Sequence, residues 1–339
     1  MTAYETKPAQ PLASRTLVRR MLPSVITGQE YVLIGVIAVL WILLGIFTPA
    51  FLTPGSIQPL LVSISPIALI GVGMTFIIIT AGIDVSVGGA IMVCAVITAK
   101  ALVGVDLPLI LAVLLSVSVG LVLGFINGAL IAYGRVHAII ITFGTANLFQ
   151  FIGLRVFGSS TVNGIPGTLD VFGRGEVGRT LGVPHSFAIT IVVVAIAWWY
   201  LRNTSGGRNL FAIGGNAQAA RLAGVKVQPR LVTAYAVTGA LVGLAACFFI
   251  ASGTSTLDQA VGTGRELAVI AAVVIGGTSI LGGRGSVVGT LLGAILVQTV
   301  TSGVTQLGWP SQLANLFVGI FIIVAVGTDL LRQGAKRRS

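Results

Sequence analysis

The sequence predicts an all-α fold: a polytopic transmembrane helical bundle of about 10 helices, with room for an inverted repeat. Three observations predict it. Of 339 residues, 55% are hydrophobic and 9% are charged, about a third of the charged share of a soluble domain. Uncharged apolar runs such as Tyr31 to Phe47, Ile189 to Leu201 and Leu313 to Val326 recur along the chain, and a helix needs roughly 20 mainly apolar residues to cross the hydrocarbon layer. The ten-residue segments of strict polar and apolar alternation that mark a membrane β-barrel are not seen.

Residues 1–30 read as a polar tail with several prolines and Arg15, Arg19 and Arg20. No small-residue cleavage site follows the first apolar run, so that run stays as a helix. Cutting at glycine, proline and charged clusters gives ten apolar segments, near 31–48, 59–80, 86–104, 107–133, 138–157, 185–201, 231–252, 267–281, 285–304 and 312–331. They make a membrane domain over 31–331, followed by a basic tail at 332–339. Ten crossings place both termini on one side. With that side cytoplasmic, fifteen of the 20 basic residues face inward: Lys7, Arg15, Arg19, Arg20, Arg135, Arg202, Arg208, Arg221, Lys226, Arg230, Arg284, Arg332, Lys336, Arg337 and Arg338. The outward set is Lys100, Arg155, Arg174, Arg179 and Arg265. The positive-inside rule therefore sets both termini in the cytoplasm.

Two connections are long. The outer one, Gly158 to Pro184, is rich in glycine with mixed charge, which suits a surface that meets a soluble partner and equally suits a solvated link. In the inner one, 202–230, Asn216 can cap a short helix from Ala217 to Leu222, Gly224 can end it in the left-handed conformation, and Pro229 delays the next segment. Small residues interrupt the apolar pattern twice, at Ala81 to Gly89 (AGIDVSVGG) and Gly276 to Gly285 (GGTSILGGRG). Segments two to five and seven to ten are candidates for a repeat, and an offset of five crossings would invert it. Most of the 45 glycines read as packing devices between helices.

Chemistry-bearing motifs are sparse. No GxxxxGK[ST] stretch occurs, so the chain has no nucleotide-phosphate cradle of its own. His137 and His185 read as helix-end residues, and no metal or acid–base constellation surrounds them; no cofactor, metal or catalytic residue is implied. Cys94 and Cys247 lie inside apolar runs and read as packing residues. The net charge of +11 is spread between apolar runs rather than gathered in a patch, which argues against nucleic acid. Ion-coupled carriers need ionisable groups at membrane depth, and here the candidates are only Asp84 and the Arg265 and Glu266 pair. Asp84 with Ser86 suits a cap on the third helix, and Glu266 suits a helix start, with gating or pathway lining as the other role for each. Uncharged polar residues inside segments are the further pathway candidates: Asn127, Thr142, Asn147, Gln150 and Gln298. Each is equally suited to bonding between helices.

Four stretches carry a family resemblance: GMTFIIITAGIDVSVGGAIMVCAV (Gly73 to Val96), GFINGALIAYGRVHAIIITFGT (Gly124 to Thr145), GRNLFAIGGNAQAARLAGV (Gly207 to Val225) and IAAVVIGGTSILGGRGSVVGTLLGA (Ile270 to Ala294). They resemble the permeases of the ribose, galactose and arabinose class of ABC transporters, in the family's order. Through Cys94 after DVSVGG and VGTGRELAVIAA (Val261 to Ala272), the chain looks most like the permeases for autoinducer-2 and rhamnose. The resemblance implies a multi-pass protein of the bacterial inner membrane that imports a small sugar or sugar-like solute. It also implies a second permease subunit, the same or different, a periplasmic substrate-binding protein, and an ATP-hydrolysing ABC subunit or fused double ATPase. On this likeness the Gly214 to Gly224 stretch is the helix that docks into the ATPase, with Asn216 capping it and Ala219 and Ala220 permitting close approach. A stand-alone facilitator explains the hydropathy as well, but leaves the capped cytoplasmic helix without a purpose.

Overall fold

The computed structural model describes residues 28–338 apart from 159, 174 and 254, with side chains described up to Gly327. The expected positions of Lys7, Arg15, Arg19, Arg20 and Arg174, and of the side chains of Arg332, Lys336, Arg337 and Arg338, lie outside the described residues. Twelve α-helices follow in order: α1 (Gly28–Phe47), α2 (Pro54–Ile79), α3 (Val87–Val105), α4 (Leu109–Gly134), α5 (Ala138–Phe157), α6 (His185–Asn203), α7 (Ser205–Gly215), α8 (Ala217–Leu222), α9 (Val227–Ala251), α10 (Arg265–Ile275), α11 (Val287–Gln306) and α12 (Gln312–Arg338). Nine of the ten expected apolar segments match a helix closely, the segment 267–281 is helical only as far as Ile275, and α7 and α8 occupy the 202–230 connection. Eight of the helices, α1 to α6, α9 and α11, are long and apolar enough to cross a membrane. The chain is a multi-pass helical membrane protein.

α2 lies at the centre, with nearly every side chain from Leu60 onward buried. It opens at Pro54, five residues before the expected start. Proline at the first helical position loses no bond, since that amide would be unpaired anyway; Pro59 and Pro66 then fall inside the helix. α4 and α9 cross beside it at very close range. Gly120, Gly124 and Gly128 on α4 face Gly239, Gly243 and the backbone at Tyr235 and Val232 on α9, and a methyl group on any of these three α4 glycines would overlap the opposing backbone. The Ser116 hydroxyl donates to the Gly243 carbonyl at 2.6 Å across the same seam. In lipid, where apolar side chains gain little by leaving one apolar medium for another, such small-residue contact holds helices together.

α10 departs from the expected segment at 267–281. It has 11 residues and is therefore about 16 Å long, half of the roughly 30 Å hydrocarbon thickness. It stops at Ile275 because the Gly276 backbone packs directly on Gly289 of α11. The described residues of the stretch before it, 252, 253 and 255–264, are not helical, and Gly262 meets Gly88 at the start of α3. The two glycine-rich breaks also differ in place: the first follows α2, whereas the second falls between α10 and α11.

At the opposite end from α8, strands β1 (Val162–Asn163) and β4 (Thr256–Leu257) pair antiparallel, joining the 158–184 connection to the re-entering stretch. A second pair, β2 (Arg179–Thr180) and β3 (Val183–Pro184), turns through Leu181 and Gly182, both at positive φ. Leu169 and Phe172 anchor this connection in the core, the Phe172 ring lying 5.2 Å from that of Phe248. This connection is packed structure, not a loose link. His185 fixes its end, with Nδ1 at 2.9 Å from the Val171 carbonyl and Nε2 at 2.8 Å from the Thr180 hydroxyl.

Candidate functional site

The first break is closed by a chain of three buried side chains. Asp84 Oδ1 accepts the Ser86 amide at 2.9 Å and the Ser86 hydroxyl at 2.6 Å, and Ser86 Oγ in turn accepts from Asn127 Nδ2 at 2.7 Å. Ser86 precedes α3 with helical backbone angles and gives no cap bond to the helix, so Asp84 shapes the turn ahead of α3 rather than capping it. The Thr142 hydroxyl, 3.1 Å from the Ile83 carbonyl, ties α5 to the same break. Tyr235 of α9 points its hydroxyl at Gly82. That hydroxyl and Asn127 Oδ1 are buried without a partner among the described residues. Nothing in the spacing of the sequence singles out Tyr235, because its neighbours on α9 read as an ordinary apolar segment.

In front of this chain lies a hollow of about 190 Å³. Val85, Gly88 and Gly89 form one wall, Phe143, Asn147 and Gln150 of α5 another, and Gly262 to Gly264 with Glu266 the third. Phe143, Asn147 and Gln150 recur at four and then three residues, so one exposed stripe of α5 supplies all three. The Glu266 carboxylate lies against Gly88, while the neighbouring Arg265 turns its guanidinium over the Phe249 ring at 5.3 Å. The expected Arg265 and Glu266 pair therefore diverges. Of the pathway candidates the fold brings Asn147, Gln150 and Glu266 together around one space. Asp84, Ser86 and Asn127 sit behind its wall. Gln298 lines a separate groove with Ser56, Ser63 and Gln306, at the β1–β4 end.

The 202–230 connection is built as two capped helices. The Thr204 hydroxyl oxygen accepts the Gly207 amide at 3.0 Å to open α7, a helix its four glycines hid from the sequence reading. Asn216 Oδ1 accepts the amides of Gln218 and Ala219 at 3.0 and 2.9 Å, capping α8 as expected. Gly224 follows at φ +86°, with its own amide bonded to the Arg221 carbonyl and that of Val225 to the Ala220 carbonyl, both at 3.0 Å. This is the glycine-terminated helix end in which two orphan carbonyls are satisfied. Ala219 is exposed, whereas Ala220 is buried against Ile213 and Val227.

Gly214, at the end of α7, meets the backbone of Ile79 and Gly283, so closely that any side chain there would collide with main chain. The Gly283 amide donates to the Ile79 carbonyl at 2.8 Å, and Gly282 lies on Ala81. The two glycine-rich breaks are thus joined to each other and to α7. Behind them the Ser286 hydroxyl donates to Glu30 Oε1 at 2.5 Å and accepts the Gly289 amide at 3.2 Å, opening α11. Glu30 is buried near the start of α1, which already includes Gly28 to Glu30.

Comparison with known proteins fits this architecture. Residues 56–326 match the family described as branched-chain amino acid transport system / permease component. The ribose import permease protein RbsC of Escherichia coli is 36% identical over 296 residues, covering 87% of this chain and 92% of that one. RbsC of Bacillus subtilis is 38% identical over 295 residues, 86% and 89% of the two chains. The autoinducer 2 import system permease protein LsrD of Photorhabdus temperata is 34% identical over 305 residues, 88% and 90%. No solved structure matches the chain. With four-fifths of its length matched to one family and relatives that align over more than four-fifths of both chains, the chain belongs to the branched-chain amino acid transport system / permease component family.

Proposed function

We propose that this chain is the membrane permease subunit of an ATP-binding-cassette importer, carrying a small sugar or sugar-like solute such as ribose, rhamnose or autoinducer-2 across the inner membrane. Its relatives' names point to that cargo class, and the hollow of Asn147, Gln150 and Glu266 offers the hydrogen-bonding groups a neutral hydroxylated solute needs. ATP hydrolysis belongs to a separate subunit that docks on α8. A periplasmic substrate-binding protein delivers the solute at the β1–β4 end. A second permease subunit closes the open side of the hollow, where Phe143 stands exposed. Both termini and α8 then lie in the cytoplasm.

The observation that carries this reading is the junction at Gly214. A push on α8 passes through Asn216 to the end of α7, and from there, backbone on backbone, to Ile79 at the end of α2, just ahead of the first break, and to Gly283 of the second. Close-packed main chain has no rotamers in which to absorb a displacement, so the movement reaches the starts of α3 and α11, and through α3 it reshapes the hollow that α3 shares with α5 and the start of α10. A two-state element of this kind needs only a ligand that favours one arrangement.

Reconstitution with the ATPase and binding protein tests it. Wild-type chain is expected to couple solute uptake to ATP hydrolysis. Gly214→Leu should abolish uptake while ATP is still hydrolysed. Uptake that persists without any ATPase, or ATP hydrolysis by the purified chain alone, would overturn the proposal in favour of a stand-alone facilitator or an energised single subunit.

A further inference from the structure

Two hollows outside the candidate pathway share a boundary. One, about 380 Å³, is a groove between α2, α6, α7 and α9 lined by apolar side chains including Phe76, Ala197, Ala234, Val237 and Leu241. The other, about 460 Å³, lies at the α8 end and is lined by Asn209, Lys226 and Pro229 among others. Arg230 and Thr233 belong to both. The two spaces therefore adjoin at Arg230 and Thr233, apolar on one side and cationic on the other.

Its polar end is unbalanced in charge. The 202–230 connection contains Arg202, Arg208, Arg221, Lys226 and Arg230 and no Asp or Glu. No acidic side chain of the described residues pairs with Lys226 or Arg230. Arg230 Nη1 and the Tyr200 hydroxyl both lie against Gly206, which sets a cation and a hydroxyl donor side by side at the mouth of the groove. Trp198 and Trp199 flank the same level, with the Arg202 guanidinium 5.2 Å over the Trp198 ring. Aromatic and basic residues at one depth mark the headgroup layer of a bilayer, and basic clusters beside transmembrane helices attract anionic lipid.

We propose that this composite groove is a specific site for an anionic phospholipid, its phosphate held by Arg230 with Lys226 and one acyl chain laid along α6 and α9 toward Leu241. Charge complementarity selects the headgroup, and the apolar groove selects a lipid over a free phosphate. The site touches Gly224 and Val225 at the end of α8, so a bound lipid ties the α8 hinge to the membrane surface. It requires only that the chain spans a bilayer, and so stands or falls apart from the solute proposed above.

Native mass spectrometry of the full chain, purified in detergent and titrated with phosphatidylglycerol or phosphatidylcholine, tests the site. One phosphatidylglycerol per chain is expected to be retained at an excess where phosphatidylcholine is lost, with retention unchanged by added inorganic phosphate. Arg230→Gln and Val237→Trp, the second filling the groove from its exposed side, should each lower retention roughly tenfold while thermal unfolding stays near wild type. Arg155→Gln, at the far end of α5, should leave it unchanged. Equal retention of the two lipids, equal retention in all variants, or displacement by phosphate would each overturn the assignment.

Discussion

At Asn216 one amide oxygen holds two backbone amides, and loss of such a cap costs a helix about 1 kcal/mol. Asn216→Ala should therefore leave the membrane bundle intact and loosen only α8; the check is uptake per ATP hydrolysed, expected to fall while expression and unfolding temperature hold. The polar residues of the hollow act differently. Asn147→Leu and Gln150→Leu, both on an exposed stripe of α5, should reduce uptake several-fold without lowering ATP hydrolysis, and unchanged uptake in the double variant would remove them from the pathway. The α8 cap and its Gly224 stop were legible in the sequence because a six-residue helix is specified almost wholly by its ends. The division between Asn147 or Gln150 in the hollow and Asn127 or Ser86 behind it was not. Both sets are amides and hydroxyls inside apolar runs, and only the helix rotations imposed by packing separate them.

Among elements, the seam between α4 and α9 is the most demanding. A leucine at Gly124 would meet the Tyr235 carbonyl and the Gly239 backbone, and no rotamer avoids main chain. Gly124→Leu should prevent a folded product, read as loss of a monodisperse peak on size exclusion, whereas Ser116→Ala, which removes one hydrogen bond, should cost about 1 kcal/mol and lower the unfolding temperature by a few degrees. Long apolar helices announce themselves by composition, so nine of the ten segments fell close to their expected places. α10 did not, since its apolar residues run on past Ile275 into the second break; what ends the helix is contact of Gly276 with Gly289, thirteen residues further along the chain. α7 was hidden for a related reason. Its glycines lower helix propensity locally, and tertiary contact at Ile79 overrides that.

Considered as one molecule, the chain carries its own means of settling topology. Cys94 and Cys247 are both free and fully enclosed, so an introduced thiol reports without background. Ala219→Cys, on the outer face of α8, should react with a membrane-impermeant maleimide only in inverted vesicles, and Leu181→Cys, at the tip between β2 and β3, only in intact spheroplasts. The reverse pattern would turn the proposed ATPase-docking surface away from the cytoplasm. Charge counting predicts the orientation from the sequence because lysines and arginines are costly to translocate. The joining of the two breaks at Ile79 and Gly283 has no such signature, being a contact of main chain with main chain.

The short reach of α10 bears on how the protein is made. The described residues of 252–264 reach the start of α3 as turns and one short strand, not as helix, and non-helical backbone within a bilayer is tolerated only where protein covers it, so this stretch cannot rest in bare bilayer. α3 and α5 have already left the ribosome by then and stand ready to receive it. Biogenesis thus has a fixed order: the early helices must assemble into a partly closed cup before the late segment can leave the translocon, and a nascent chain whose early helices are scrambled should stall at α10 and be degraded there.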